Sequence, residues 1–133
     1  MSYTTPRVTP YLLYEDLEGA IDWLAKAFGF HERLRHPADG GKLIHAEMQV
    51  GDDGAVMMGQ LGSQYRNPKH LGQHTQNVYV RVEELDKHFE RAVKAGATVL
   101  EKPNDRPYGE RRYGVEDPEG HRWYFAESIS GAN

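Results

Sequence analysis

The fold is decided by residues 108–127, which read YGERRYGVEDPEGHRWYFAE. Within this stretch, residues 117–120 place Asp, Pro and Gly at the positions that favour them in a type I turn. The aromatic and β-branched residues on either side predict two strands, at 110–116 and 121–127. The chain therefore contains, near its C-terminal end, a strand pair joined by a tight turn.

Upstream of this strand pair, the pattern gives the rest of a module. Alternating residues predict a strand at 78–82. Apolar residues at helical spacing predict a helix at 85–93, which Gly96 closes. A further strand is expected at 97–102, and a loop at 103–107. The order of this half is therefore strand, helix, strand, strand, strand.

The first half has the same order of elements. A strand is predicted at 8–14 and an amphipathic helix at 17–28, which ends before a glycine. Three more strands are expected at 30–35, 43–50 and 55–60, separated by glycine-containing turns. The elements predicted for the two halves therefore match one for one.

A weak internal repeat supports this match. Glu15-Asp16-Leu17 aligns with Glu83-Glu84-Leu85 at an offset of 68 residues. We interpret the chain as two tandem βαβββ modules, 8–60 and 77–127, joined by a polar loop at 61–76.

Composition excludes several classes of protein. The 16 basic and 20 acidic residues leave a net charge of −4, which predicts no nucleic-acid partner. No apolar run approaches the roughly 18–20 residues of a membrane span, and the N-terminal residues do not look like a signal peptide. The absence of cysteine excludes disulfides and thiolate metal sites. We therefore expect a cytoplasmic protein with no membrane association. Its apolar content of 38% is lean enough to predict a homodimer.

Three motifs carry a resemblance to a known family. They are Tyr14-Glu15-Asp16-Leu17, the run from Lys94 to Ala97, and the run from Tyr108 to Trp123. On these motifs the chain resembles the vicinal oxygen chelate superfamily, in its bacterial glyoxalase/bleomycin-resistance-like branch. The resemblance implies a single α+β domain over 1–133. In that fold two βαβββ modules form a curved mixed sheet around a cup, with the helices on the outer face.

The resemblance also implies where a divalent metal would sit in the family's enzymes. Counting from the helix starts and turn glycines gives Thr9, Met58, Asn77 and Tyr124 at the four ligand positions. None of these is a histidine or a carboxylate, the donors that such cations prefer. We therefore predict no metal at this site and no cofactor.

Strand alternation extends this set to other side chains on the cup face. His45 and Glu47, two residues apart on one strand, are weak candidates for catalysis or for a displaced metal site. The predicted ligand-binding residues are Tyr11, Met58, Asn77, Tyr79, Arg81, Arg122 and Tyr124.

Two functions follow from these residues. An aromatic and arginine-lined cup suits a planar or aromatic small molecule. The first expectation is therefore a metal-independent small-molecule-binding protein, similar to the antibiotic-sequestering bleomycin resistance proteins. The alternative is a glyoxalase-like, metal-dependent lyase, isomerase or dioxygenase whose displaced metal site uses His45 and Glu47.

Overall fold

The computed structural model describes residues 5–37 and 41–129. The chain divides into two compact units, Met1–Asn67 and Pro68–Asn133. Each unit holds one βαβββ module with a four-stranded mixed sheet. The α+β class and the module order predicted from the sequence are confirmed.

The first unit has its strands in the order β1-β4-β3-β2. Strand β1 runs parallel to β4, and the other neighbouring pairs are antiparallel. The element bounds are β1 Tyr11–Leu13, α1 Leu17–Phe28, β2 His31–Pro37, β3 Leu43–Val50 and β4 Gly54–Gly59.

Helix α1 begins and ends where its sequence predicts. The Asp16 side chain accepts a hydrogen bond from the Gly19 amide at 3.0 Å, which satisfies one of the free N–H groups of the first turn. Gly29 ends the helix with φ 77°, a left-handed conformation that glycine adopts without strain. The buried face of the helix consists of Leu17, Ala20, Ile21, Leu24, Ala27 and Phe28.

The second unit repeats this topology with the order β5-β8-β7-β6. Strand β5 runs parallel to β8, and the β8–β7 and β7–β6 pairs are antiparallel. The element bounds are α2 Pro68–Leu71, β5 Asn77–Arg81, α3 Leu85–Lys94, β6 Thr98–Arg106, β7 Glu110–Glu116 and β8 Arg122–Ser128.

Some element boundaries differ from the prediction. Strand β6 continues to Arg106, through a segment predicted as a loop because of Pro103. Because β6 is an edge strand, the missing N–H of the proline breaks no ladder on its outer side. The predicted loop 61–76 contains the short helix α2, and β1 is shorter than the predicted strand 8–14.

Asp117 organises the tight turn between β7 and β8. Its side chain is buried, and Oδ1 accepts hydrogen bonds from the amides of Glu119 and His121, each at 3.0 Å. Its Oδ2 accepts a hydrogen bond from Nε1 of the buried Trp123 at 3.1 Å. The predicted turn is therefore tied directly to the core of the second unit.

Across the described ranges, no helix is both long enough and apolar enough to cross a membrane.

Candidate functional site

One face of the sheet in the second unit packs against α3, and the other is open. Trp123 pairs with Val78 and Val115 in register, and these side chains lie on the helix-covered face. His88 on α3 contacts Phe125 of this face, with ring centroids 4.4 Å apart. The intervening residues form what we call the open face of unit 2: Asn77, Tyr79, Arg81, Glu101, Arg112, Gly114, Glu116, Arg122 and Tyr124.

An aromatic platform occupies the middle of this face. Gly114 lies opposite Tyr124 in register, and a Cβ at Gly114 would meet Cε2 of the Tyr124 ring at 2.5 Å. The ring therefore lies directly against the strand backbone, where only glycine leaves room for it. The guanidinium carbon of Arg112 lies 5.6 Å from the ring centroid, close enough for a cation–π contact.

Arg112 is held in place by a two-point ion pair. Its Nε and Nη2 donate to the two carboxylate oxygens of Glu101 at 2.7 and 3.1 Å. Its Nη1 donates to the Tyr108 hydroxyl at 3.2 Å. These contacts lower the pKa of Glu101 and raise that of Arg112, mainly through the hydrogen bonds between the two side chains. Both groups therefore stay charged, and the guanidinium plane keeps one orientation.

Tyr79 stands beside this platform. Its hydroxyl donates to Oε1 of Glu110 at 2.6 Å, and 51% of the residue remains exposed. Partial burial, together with the hydrogen bond to the carboxylate, raises the pKa of Tyr79 to about 12. The phenol is therefore neutral near physiological pH and donates a hydrogen bond to Glu110.

The remaining predicted residues of the second unit lie on the same face. Arg122 stands opposite Asn77 in register, and its Nε forms an ion pair with Oε2 of Glu116 at 3.0 Å. Arg81 lies farther along the same face, beyond the Tyr79–Tyr124 pair and opposite Ala126. The structure thus brings Asn77, Tyr79, Arg81, Arg122 and Tyr124 onto one surface, as strand alternation predicted.

The first unit also has an open face, on the side of its sheet away from α1. Arg35 on the opposite side forms ion pairs with Glu18 and Asp22 of α1, which identifies the helix-covered face. The open face of unit 1 consists of Tyr11, Leu13, His45, Glu47, Gln49 and Met57.

The placement predicted for Met58 is wrong. Met58 is fully buried and pairs with Leu12 and Ala46, so it lies on the helix-covered face. The residue that pairs with Tyr11 is Met57. The error comes from counting four residues from Gly54, as from the turn glycine of the second module, although Gly54 is already the first residue of β4.

The residues present do not fit the divalent metal that the family implies. Met58 faces the wrong side of its sheet, and Thr9, Asn77 and Tyr124 offer only a hydroxyl, an amide and a phenol. Nowhere in residues 5–37 and 41–129 do three or more His, Cys, Asp or Glu side chains form a group that could hold a metal ion.

Sequence reasoning missed part of the unit 2 site. Arg112 and Glu101, which fix the platform, were not among the predicted residues. Extending the alternation along β7 could have found Arg112, because the buried Tyr113 and Val115 assign it to the other face. The partner Glu101 carries no such signal, because the β6–β7 register shifts on both sides of it.

The comparisons agree with this architecture. Residues 6–125 match the Glyoxalase/Bleomycin resistance protein/Dioxygenase superfamily, and the chain belongs to this superfamily. An uncharacterized protein of Mycobacterium bovis is 33% identical over 132 residues, which cover 96% of this chain and 87% of that protein.

Solved structures show the same fold. TioX from Micromonospora sp. ML1 aligns with a TM-score of 0.76 and 37% identity, covering 93% of this chain and 99% of TioX. A superfamily member from Sphaerobacter thermophilus aligns with a TM-score of 0.70 and 20% identity, covering 96% of this chain and 98% of its own. The second likeness shows the fold alone.

Proposed function

We propose that this protein binds a planar or aromatic small molecule without a metal, as a sequestering protein. The observation that carries the proposal is the platform on the open face of unit 2. There the Tyr124 ring lies against Gly114, beneath the guanidinium of Arg112. Stacked aromatic and guanidinium planes favour planar ligands, because both present flat polarisable surfaces.

The polar groups around the platform support a binding role. Arg112 and Glu101 neutralise each other, so this ion pair adds no net charge beside the Tyr124 ring. The Tyr79 hydroxyl donates a hydrogen bond to Glu110, so its oxygen keeps a lone pair that can accept a hydrogen bond from a ligand. The polar groups of such a surface can hydrogen-bond to the edge of a planar ligand, while its aromatic ring stacks on the face of the ligand.

Membership of a superfamily named in part for bleomycin resistance is compatible with sequestration. The poor donor set at the family's metal positions favours binding over the metal-dependent chemistry of the alternative enzyme.

We further propose that the protein acts as a homodimer, as its lean apolar composition predicts.

The test begins with a thermal-shift screen of planar and aromatic antibiotics. Any compound that raises the melting temperature is then measured by calorimetry with the Tyr11→Leu, Tyr79→Leu and Tyr124→Leu variants. We expect affinity to fall roughly fivefold or more for the tyrosines that contact the ligand, because a lost stacking contact is worth about 1 kcal/mol. Tyr65→Leu is the matched control, because Tyr65 lies outside the predicted binding residues and its hydroxyl donates a hydrogen bond to the Leu13 carbonyl. Unchanged affinity in all three variants would overturn the proposal.

A second arm separates binding from metal chemistry. The ligand is titrated with and without a chelator, and the metal content of the purified protein is measured. Equal affinity with chelator supports metal-independent binding. One tightly bound divalent ion per chain, together with affinity lost on chelation, would favour the enzymatic alternative.

A further inference from the structure

Three side chains on the open face of unit 1 form a continuous hydrogen-bonded chain. The Tyr11 hydroxyl lies 2.8 Å from Nδ1 of His45. Nε2 of the same imidazole lies 3.0 Å from Oε2 of Glu47. The residues come from β1 and β3, which both pair with β4, so regular sheet structure sets their spacing.

The chemistry of the partners fixes the direction of these hydrogen bonds. An ionised carboxylate only accepts, so Nε2 of His45 carries a proton and donates it to Glu47. In the neutral imidazole, Nδ1 then carries the lone pair and accepts from the Tyr11 hydroxyl. The order is hydroxyl, imidazole, carboxylate, which is the arrangement that activates an oxygen nucleophile through an adjacent base.

Neighbouring groups hold the hydrogen-bonded Tyr11, His45 and Glu47 side chains in this arrangement. Nε of Arg33, whose side chain is almost fully buried, lies 3.7 Å from the other carboxylate oxygen of Glu47. Gly59 lies beneath the Tyr11 ring, and a Cβ there would meet Cε1 and the hydroxyl of Tyr11 at 2.9 Å. The carboxylate end is therefore anchored by an ion pair, and the ring is seated on the strand backbone.

Solvent exposure of these three hydrogen-bonded residues increases from Glu47 through His45 to Tyr11. The Glu47 side chain is 16% exposed, the His45 side chain is 25% exposed, and the Tyr11 residue is 47% exposed. The carboxylate is thus shielded from water, while the phenolic oxygen is reachable from solution. This gradient suits a reactive oxygen supported by a protected base.

We propose that Tyr11 is a nucleophile that accepts the acyl group of carboxylic esters. Its oxygen attacks the ester carbonyl carbon, and the bond from that carbon to the alcohol oxygen breaks. The phenolic proton passes to His45 and then to the departing alcohol, while Glu47 stabilises the imidazolium. Water, deprotonated by His45, then cleaves the tyrosyl ester, which releases the carboxylic acid and restores the phenol. The sequence is redox-neutral and needs no reactant other than the ester and water.

The second module supplies an internal comparison. Tyr79 aligns with Tyr11 in the repeat, but its hydroxyl donates to the Glu110 carboxylate, which is a much weaker base than an imidazole. The raised pKa of Tyr79 also opposes loss of its proton. The two aligned tyrosines therefore differ in the base that each one contacts, and of this pair only Tyr11 is expected to react.

The experiment uses the purified full chain with para-nitrophenyl acetate. Release of nitrophenolate is followed by absorbance, and the site of acetylation is mapped by mass spectrometry of the trapped protein. We expect acetyl on Tyr11 and a loss of at least about tenfold in release for Tyr11→Phe, His45→Gln and Glu47→Gln. Tyr113→Phe is the matched control, because the Tyr113 hydroxyl also lies 2.6 Å from a histidine, Nδ1 of His88, but the residue is fully buried. This variant should release nitrophenolate at the wild-type rate.

Three outcomes would overturn the proposal. They are acetyl found only on lysines or on Tyr79, undiminished release by Tyr11→Phe, or wild-type release by His45→Gln. The second would show that the Tyr11 phenol is not the nucleophile. If a variant fails to fold, the mapping of the wild-type protein still decides the question. Failure here leaves the binding function on unit 2 untouched, because that proposal is carried by Tyr124, Gly114 and Arg112, none of which takes part in the ester chemistry.

Discussion

The Tyr124 ring occupies the space that a side chain at Gly114 would need. The two residues pair across β8 and β7, and a Cβ at Gly114 would lie 2.5 to 2.9 Å from three ring atoms. Gly114 lies within β7, and its φ is outside the left-handed region, so its role is space rather than backbone conformation. The platform on the open face of unit 2 therefore depends on a missing side chain.

We predict that Gly114→Ala displaces the Tyr124 ring. Overpacking of this kind costs about 1–3 kcal/mol of unfolding free energy, measurable by urea denaturation. The double variant Gly114→Ala/Tyr124→Ala should lose no more stability than Tyr124→Ala alone, because the clash has been removed. Additive losses in the double variant would show that the ring and the glycine do not interact.

Asp117 gives a second prediction. Asp117→Ala removes the acceptor of three N–H groups, those of the Glu119 and His121 amides and the Trp123 indole. Leaving buried donors without an acceptor should lower the unfolding free energy by about 3 kcal/mol. Asp105→Ala, an exposed carboxylate paired with Arg111, is the control and should cost less than about 1 kcal/mol. Equal losses in both variants would contradict the role given to Asp117.

Much of the fold is predictable because local signals and packing agree. The bounds of helix α1, its closing Gly29 and the Asp117 turn each depend on a few neighbouring residues, and each was predicted correctly. The open face of unit 2 followed from alternation along β5 and β8, which carry the apolar Val78, Val80, Trp123 and Phe125 on the other face. These features need no knowledge of distant contacts.

The errors arise where similar residues have different roles in the two modules. Gly120 lies in its turn with φ 92°, two residues before β8 begins, whereas Gly54 starts β4. Equating the two glycines shifted strand β4 by one residue and put Met58 on the wrong face. A one-residue shift assigns every side chain of a strand to the opposite face of the sheet, so a small error in alignment has a large effect.

Contacts between distant strands were also beyond the sequence. The ion pair of Arg112 with Glu101 depends on irregular pairing between β6 and β7. The hydrogen bond between Tyr11 and His45 depends on how β1 and β3 are each aligned with β4. Alternation identifies which face a residue occupies, but not which neighbour it contacts.

We expect the protein to be a homodimer in solution. The lean apolar composition is accompanied by exposed apolar residues on the edge strand β6, where Val99 and Leu100 are each 37% exposed. Light scattering at micromolar concentration should give twice the 15.1 kDa chain mass. Leu100→Lys should weaken the dimer more than Thr98→Lys, an exposed position on the same strand. A monomer mass for the wild-type protein would contradict the prediction.

Tyr79 and Glu110 provide a prediction at alkaline pH. The Tyr79 pKa of about 12 lies above the ordinary value of 10.0, owing to partial burial and then to the hydrogen bond with Glu110. Because the folded-state pKa is the higher one, the neutral phenol stabilises the fold fully below pH 10. This contribution is lost as the pH rises through about 12.

Glu110→Gln removes the negative charge but leaves an amide oxygen as acceptor, so the Tyr79 pKa should fall towards 10 without reaching it, since burial remains. Ultraviolet titration of the phenolate, taken as the difference between each protein and its Tyr79→Phe counterpart, measures both values. The stability difference between wild type and Tyr79→Phe should shrink across the same interval. A Tyr79 pKa that is unchanged in Glu110→Gln would show that burial alone sets it, and that the hydroxyl does not depend on the carboxylate.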